Sequence, residues 1–338
     1  MQYLPRRKVW LIFLAACPLL LWGCPAPDPA DPHARGWHFA TLEHGGLTRH
    51  FRYYVPAHLT PAAPTVLLLH GGSQSMNKLF RRGAGGTQEW PMLAEEEGFL
   101  LLVPNGVNAE TGDAAGNHQQ WNDCRQNEDM SEPMPTSDDV GFIAAMLDWA
   151  EANFDLDSAR VYATGASNGG LMSYRLGMEL PGRIAAIVVF VANLPAHSEC
   201  APPEHPVPIM IVNGTDDPLM PYNGGEVGPG HRGPVLSTEA TLQAWLQVNG
   251  LDAEDLQTTP LPDTDPADGS RIVQLRYDAE DAPAEVVLYR VEGGGHALPS
   301  IAHPISGLLV RTLLGPQNHD LEGARAAWEF LSNHRLEN

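Results

Sequence analysis

Lysine is nearly missing from this chain. Only Lys8 and Lys78 occur, so the 20 basic residues are almost all arginine, and they stand against 41 acidic ones for a formal charge of −21. An acidic surface of that strength repels phosphate backbones, which argues against nucleic acid as a partner. The preference for arginine over lysine is read as genomic or saline-habitat bias, not as mechanism. No HExxH motif and no clustered His/Cys spacing occurs, so neither a metal nor another cofactor is expected. There is no internal repeat, which excludes a solenoid, and no Ser/Thr-rich linker leading to a second binding module. What remains is a chain of 338 residues with 43% hydrophobic content, enough for one substantial core.

Long apolar runs are missing as well, save at the start. Arg6, Arg7 and Lys8 precede an unbroken apolar stretch from Val9 to Trp22. A spanning helix needs ~20 apolar residues, so this stretch is an export signal (residues 1–23) rather than a membrane span. Leu21, Trp22, Gly23 and Cys24 resemble the bacterial lipobox, in which the cysteine is acylated. Leu14 to Cys17 matches that pattern more closely, but cleavage there would leave Leu19 to Trp22 exposed. Cys24 is therefore the preferred lipidation site, with an ordinary soluble signal peptide as the alternative. Residues 24–36, rich in Pro, Ala and Asp, form a tether, and the catalytic domain is placed at 37–338. Membrane contact is then expected only through the lipid anchor, in the periplasm or at the cell surface, or not at all if the protein is secreted. With two of the four cysteines in the leader, Cys124 and Cys200 are left to form a disulfide in an oxidising compartment, or to stand as buried thiols.

Thr48 to Val55 alternates as a strand does. Thr65 to Leu69, Phe99 to Val103, Arg160 to Thr164, Ile184 to Val191, Val207 to Val212 and Val286 to Val291 are short apolar runs, as in strands buried on both faces of a parallel sheet. Helical patterns fall between them at Asp138 to Phe154 (with Ser137 as N-cap), Asn168 to Leu180, Thr238 to Val248 and Leu321 to Leu331. This alternation predicts a doubly wound α/β fold, a mostly parallel sheet with helices on both faces. Pro104 to Thr136 and Leu251 to Arg271 are long polar loops that could rim a cleft.

Gly165-Ala166-Ser167-Asn168-Gly169 satisfies G-x-S-x-G, a pattern expected by chance on the order of 0.1 times in such a chain. Its weight comes from position, directly after a strand and before a helix, where a nucleophile elbow places its serine. Serine needs a histidine to take its proton and an acid to orient that histidine, in the chain order Ser, acid, His. Asp216 and Asp217 follow one later strand, and His296 follows another behind Gly293, Gly294 and Gly295. His70-Gly71-Gly72-Ser73 after the strand ending at Leu69 resembles an oxyanion loop. The backbone N–H of Gly72 or Ser73, with that of Asn168, forms the candidate oxyanion hole, while His70 holds the loop.

These residues resemble the secreted poly(3-hydroxybutyrate) depolymerase-like and feruloyl-esterase-like α/β-hydrolases. The motifs are RYYVP (Arg52 to Pro56), LHGGSQS (Leu69 to Ser75), WNDC (Trp121 to Cys124), DDVGFI (Asp138 to Ile143), YATGASNGG (Tyr162 to Gly170), GTDDPLMPYNGG (Gly214 to Gly225) and GGGH (Gly293 to His296). The resemblance implies an α/β-hydrolase fold and ester hydrolysis by Ser167 and His296, and it selects Asp217 over Asp216. It assigns Trp121 to substrate stacking, with a place in the core as the alternative, and it supports pairing of Cys124 with Cys200. Three departures lie near the site. Asn213 stands where the family has His, Met220 where it has Val, and Ala297-Leu298-Pro299 where it has Thr-Trp-Pro.

The expected partner is an ester, either a polyester oligomer or an esterified plant polysaccharide fragment, with a leaning toward soluble or short-chain esters. A serine peptidase of related fold and a non-catalytic lipid-anchored binding protein are the competing readings.

Overall fold

The apolar runs pair into the middle of a ten-stranded sheet. In chain order its strands are β1 (Gly36–His44), β2 (Leu47–Val55), β3 (Ala63–Leu69), β4 (Leu100–Pro104), β5 (Leu156–Ala166), β6 (Ala186–Phe190) and β7 (Ile209–Gly214), followed by β10 (Leu256–Pro260), β11 (Arg271–Tyr277) and β12 (Val286–Glu292). β8 (Gly225–Glu226) and β9 (Pro234–Val235) form a separate two-stranded ribbon. The computed structural model describes residues 31–125, 133–228 and 232–337. The expected signal peptide, Cys24 and most of the tether lie outside these. The chain divides into the units Met1–Ala34 and Arg35–Asn338; in the first, of which residues 31–34 are described, Ala34 N–H donates to the Asp31 carbonyl at 3.0 Å.

The sheet order is β1-β2-β4-β3-β5-β6-β7-β12-β11-β10. The six strands from β4 to β12 run parallel, and antiparallel pairs close both edges. Every residue of β3, β4, β6 and β7 is buried, as the uninterrupted apolar runs require of a sheet covered on both faces. The covering helices are α1 (Trp90–Glu97), α2 (Asp139–Asn153), α3 (Asn168–Glu179), α4 (Thr238–Val248) and α6 (Gly323–Leu331), while α5 (Leu308–Leu314) buries no residue. One apolar core joins α2, α3 and α4 to Leu67, Leu69 and Ile187, and the other joins α1 and α6 to Val66, Leu68 and Val188. Truncating any of these leucines to alanine would cost ~2–5 kcal/mol. Among the described residues no helix is long and apolar enough to cross a membrane.

The structure departs from the sequence-based expectation in several places, among them the unexpected strand β11. β1 alternates only between half-buried and exposed side chains, so its apolar signal is weak, and it is fixed instead by the Gly45–Gly46 turn with both φ values positive. The stretch from Leu251 to Arg271 is not one loop. It contains β10, whose five residues are all exposed, because a polar edge strand needs only backbone pairing. α1 and α5 were missed because each is only 8 or 7 residues long. The N-cap of α2 is Asp138, whose side chain accepts from Gly141 N–H at 2.8 Å; the Ser137 hydroxyl bonds to Asp139 at 3.0 Å instead.

Candidate active site

β3 lies between β4 and β5, so the chain leaves β3 to one side and returns to it from the other. In open α/β sheets such a reversal opens a crevice at the carboxyl ends of the strands. Two of the sequence-predicted segments meet there.

Ser167 joins β5 to α3 with φ 56° and ψ −124°, a conformation costly for a residue with a Cβ and found where the surroundings enforce it. Its N–H donates to the Phe190 carbonyl at 3.0 Å, and its carbonyl accepts from Leu171 at 2.9 Å in the first turn of α3. The glycines around it are required by backbone packing. A Cβ on Gly165 would lie 2.6 Å from the Gly169 carbonyl oxygen, and one on Gly169 would collide with the Leu69 carbonyl. The elbow is thus pressed against the end of β3 and the loop that follows it. A Cβ on Gly71 would stand 3.7 Å from Ser167 Cβ, and one on Gly72 3.6 Å from Asn168 Cβ. The loop residues Gly71 and Gly72 thus lie against Ser167 and Asn168, and Ser73, next along the chain, adopts a φ of 59°.

His70 holds that loop. The ring is fully buried, and burial pushes its pKa down to about 4. In the neutral ring Nδ1–H donates to the Gly71 carbonyl at 2.8 Å and Nε2 accepts from Gly106 N–H at 3.0 Å. Trp121 packs on it at 4.7 Å and donates its indole N–H to the His70 carbonyl at 2.8 Å. Trp121 has no exposed surface, so it is not the stacking platform expected from the resemblance; the alternative, a core position, is where it stands.

The other half of the site is built on β7 and β12, two strands that pair in parallel. Asp217 Oδ2 lies 2.7 Å from His296 Nδ1, and the two side chains are 2% and 9% exposed. Asp217 Oδ1 accepts the N–H groups of Leu219 and Met220 at 2.8 Å each, which fixes the carboxylate. Asp216 is exposed; its carboxylate accepts only from the neighbouring Thr215 hydroxyl at 2.9 Å, while its backbone N–H donates to the Gly294 carbonyl at 2.9 Å. Gly293, at φ 75°, turns the chain after β12, and its N–H donates to the Thr215 hydroxyl at 2.8 Å. His296 N–H in turn donates to the Leu314 carbonyl at 2.5 Å. Of the three departures, Asn213 is buried and ties β7 to Ala192, Asn193 and Thr238. Met220 and Leu298 are buried apolar contacts.

Several supporting residues escaped the sequence reading. Asn168 Nδ2 donates to Asp123 Oδ2 at 2.6 Å, while its Oδ1 accepts Trp121 N–H at 2.8 Å. Asp123 also chelates the buried Arg125 guanidinium at 2.8–3.0 Å. Arg49 and Asp139 form a fully buried pair at 2.7 Å, and Asp139 Oδ2 accepts Asn122 N–H at 2.8 Å. Burial pushes the Asp139 carboxyl up, against the pull of Arg49. Cys124 and Cys200 are joined by a disulfide across 76 residues of sequence, a closure worth about 4 kcal/mol of denatured-chain entropy. Trp121 and Asp123 of the WNDC segment thus hold the elbow from the side through Asn168.

A cavity of about 350 Å³ opens beside Ser73, lined among others by Asn108, Glu110, His118, Gln120 and Arg232. The loop from Pro104 to Thr136 supplies most of it. Away from the site, Asp265, Asp268 and His319 bring ligand-type atoms within 4.8 Å of one another, though the Asp268 oxygens already accept from the Ser270 and His319 N–H groups at 2.7 Å each.

Sheet order, paired cores and the strand-elbow-helix unit define an α/β-hydrolase. A model of the phospholipase/carboxylesterase family matches residues 53–228, more than half of the chain, and the chain belongs to that family. NocK of Nocardia uniformis subsp. tsuyamanensis, a protein assigned as an esterase, is 28% identical over 85% of this chain and 80% of its own length. Feruloyl esterase B of Piromyces equi is 29% identical over 60% of this chain, which spans 35% of that longer protein. The solved acetyl xylan esterase from Aspergillus awamori shares the fold at a TM-score of 0.53 and 16% identity, over 78% of this chain and 96% of that one. By family, the chain is a carboxylic ester hydrolase.

Proposed function

We propose that the chain hydrolyses carboxylic esters through an acyl-enzyme intermediate on Ser167. His296 takes the Ser167 proton at Nε2 and returns it to the leaving alcohol. Asp217 holds Nδ1 and so fixes the tautomer that leaves Nε2 basic. The backbone N–H of Asn168, with that of Gly72 or Ser73, stabilises the oxyanion. Water then attacks the acyl-serine by the same route in reverse. The observation that carries this reading is the Asp217–His296 pair, made from two separate strand ends at the same carboxyl edge as a serine held at positive φ. The ester is a polyester oligomer or an esterified polysaccharide fragment, and the cavity beside Ser73 receives part of it.

The reading extends to export and to acylation of Cys24, supported by the basic residues and apolar run before that cysteine. Labelling with radioactive palmitate, lost in Cys24→Ala, tests the anchor. For the reaction, Ser167→Ala should lower p-nitrophenyl butyrate turnover by about 10³-fold or more with the fold intact by circular dichroism. Undiminished turnover in that variant would overturn the assignment.

A further inference from the structure

Five of the eight large hydrophobic residues exposed among the described residues fall between Ile301 and Leu313. Four of them sit on α5, where Leu308 is 83% and Leu309 86% exposed, with Val310 and Leu313 beside them. The helix carries a single charge, Arg311, and is bracketed by Gly307 and Gly315, both at positive φ. Soluble proteins rarely leave such a patch bare unless it meets a partner.

Its position says which partner. The Leu314 carbonyl at the end of α5 accepts His296 N–H, and Gly295 N–H donates to the Pro316 carbonyl at 2.7 Å. A Cβ on Gly315 would sit 3.4 Å from Pro218 Cδ and 3.5 Å from the Asp216 carbonyl. α5 therefore stands directly on the outer wall of the Asp217–His296 pair. A surface bound by these leucines would lie next to the histidine that protonates a leaving group. The formal charge of −21 and the lone arginine disfavour an anionic membrane.

We propose that α5 is a docking helix that seats the active site on a water-insoluble, uncharged aliphatic ester, so that the substrate is taken from a condensed phase. This rests on the ester-hydrolase reading and replaces the leaning toward soluble esters drawn from the sequence. The leucines insert into the ester phase, and the link from Leu314 to His296 keeps the catalytic edge facing it.

The test compares wild type with Leu308→Ser/Leu309→Ser/Leu313→Ser on emulsified tributyrin and on dissolved p-nitrophenyl acetate, with droplet flotation as a binding readout. The variant should lose about tenfold or more in emulsion turnover and in flotation, while kcat/KM on the dissolved ester stays within about twofold. Parallel loss on both substrates would reduce α5 to a support of the His296 loop, and unchanged emulsion turnover would remove it from substrate contact. A wild-type dimer in sedimentation that the variant splits would make the face a self-association surface; each of these overturns the proposal. Ser167→Ala separates the two readings, because it should still float with droplets while hydrolysing neither ester. Flotation without any wild-type turnover would sink the hydrolase reading alone, and turnover of the dissolved ester without flotation would sink the docking alone.

Discussion

The side-chain amide of Asn168 is held from both sides by the segment before Cys124, donating to Asp123 at 2.6 Å and accepting from Trp121 at 2.8 Å. Asn168 follows the serine directly, so this clasp fixes the backbone N–H expected to meet the oxyanion. Asn168→Ala keeps that N–H but frees its position. A lost oxyanion donor costs 10²–10³ in kcat, so a loosened one should cost on the order of tenfold in kcat with KM little changed. Steady-state kinetics on p-nitrophenyl butyrate check this, and an unchanged kcat would show that the clasp has no catalytic consequence.

His70 gives the fold an acid limit. Its pKa of about 4 in the folded protein lies below the value of about 6.5 in an unfolded chain. As pH falls the unfolded chain takes up the proton first. Stability from this group is therefore complete above pH 6.5 and is lost between there and 4, by about 3 kcal/mol. Urea unfolding of wild type and His70→Gln at pH 7 and pH 4 should show the stability difference between them shrinking by that order. A difference independent of pH would mean that His70 takes up its proton in the fold as readily as in the unfolded chain.

Arg49 and Asp139 are each at most 1% exposed, and each is the other's charge partner. Asp139→Ala strands the guanidinium in the core and should destabilise the protein by about 3–5 kcal/mol, whereas Arg49→Met/Asp139→Leu should recover most of that loss. Denaturant midpoints decide the matter. A single variant within 1 kcal/mol of wild type would show that water reaches the pair.

The contrast between these residues and the serine explains what was legible in the sequence. Ser167, Asp217 and His296 each sit in a local pattern, a strand followed by glycines or a tight turn, so their setting could be recognised along the chain. The buried parallel strands were visible for the same reason, since β3, β4, β6 and β7 are unbroken apolar runs. Asn168 with Asp123 and Arg49 with Asp139 pair across 45 and 90 residues, and no local periodicity encodes a polar contact at that range. The resemblance leaves Trp121 between substrate stacking and the core, because a motif does not say which residues are buried, and the structure buries it fully. β10 and α5 carry exposed side chains on short elements, so the core gave them no pattern to display.

The nucleophile assignment is tested most directly by labelling the purified protein with a fluorophosphonate and mapping the adduct by mass spectrometry. The account predicts one modified tryptic peptide, residues 161–175, with the label on Ser167 and none in Ser167→Ala. Ester turnover that proceeds without labelling, or a label that persists elsewhere in Ser167→Ala, would contradict it.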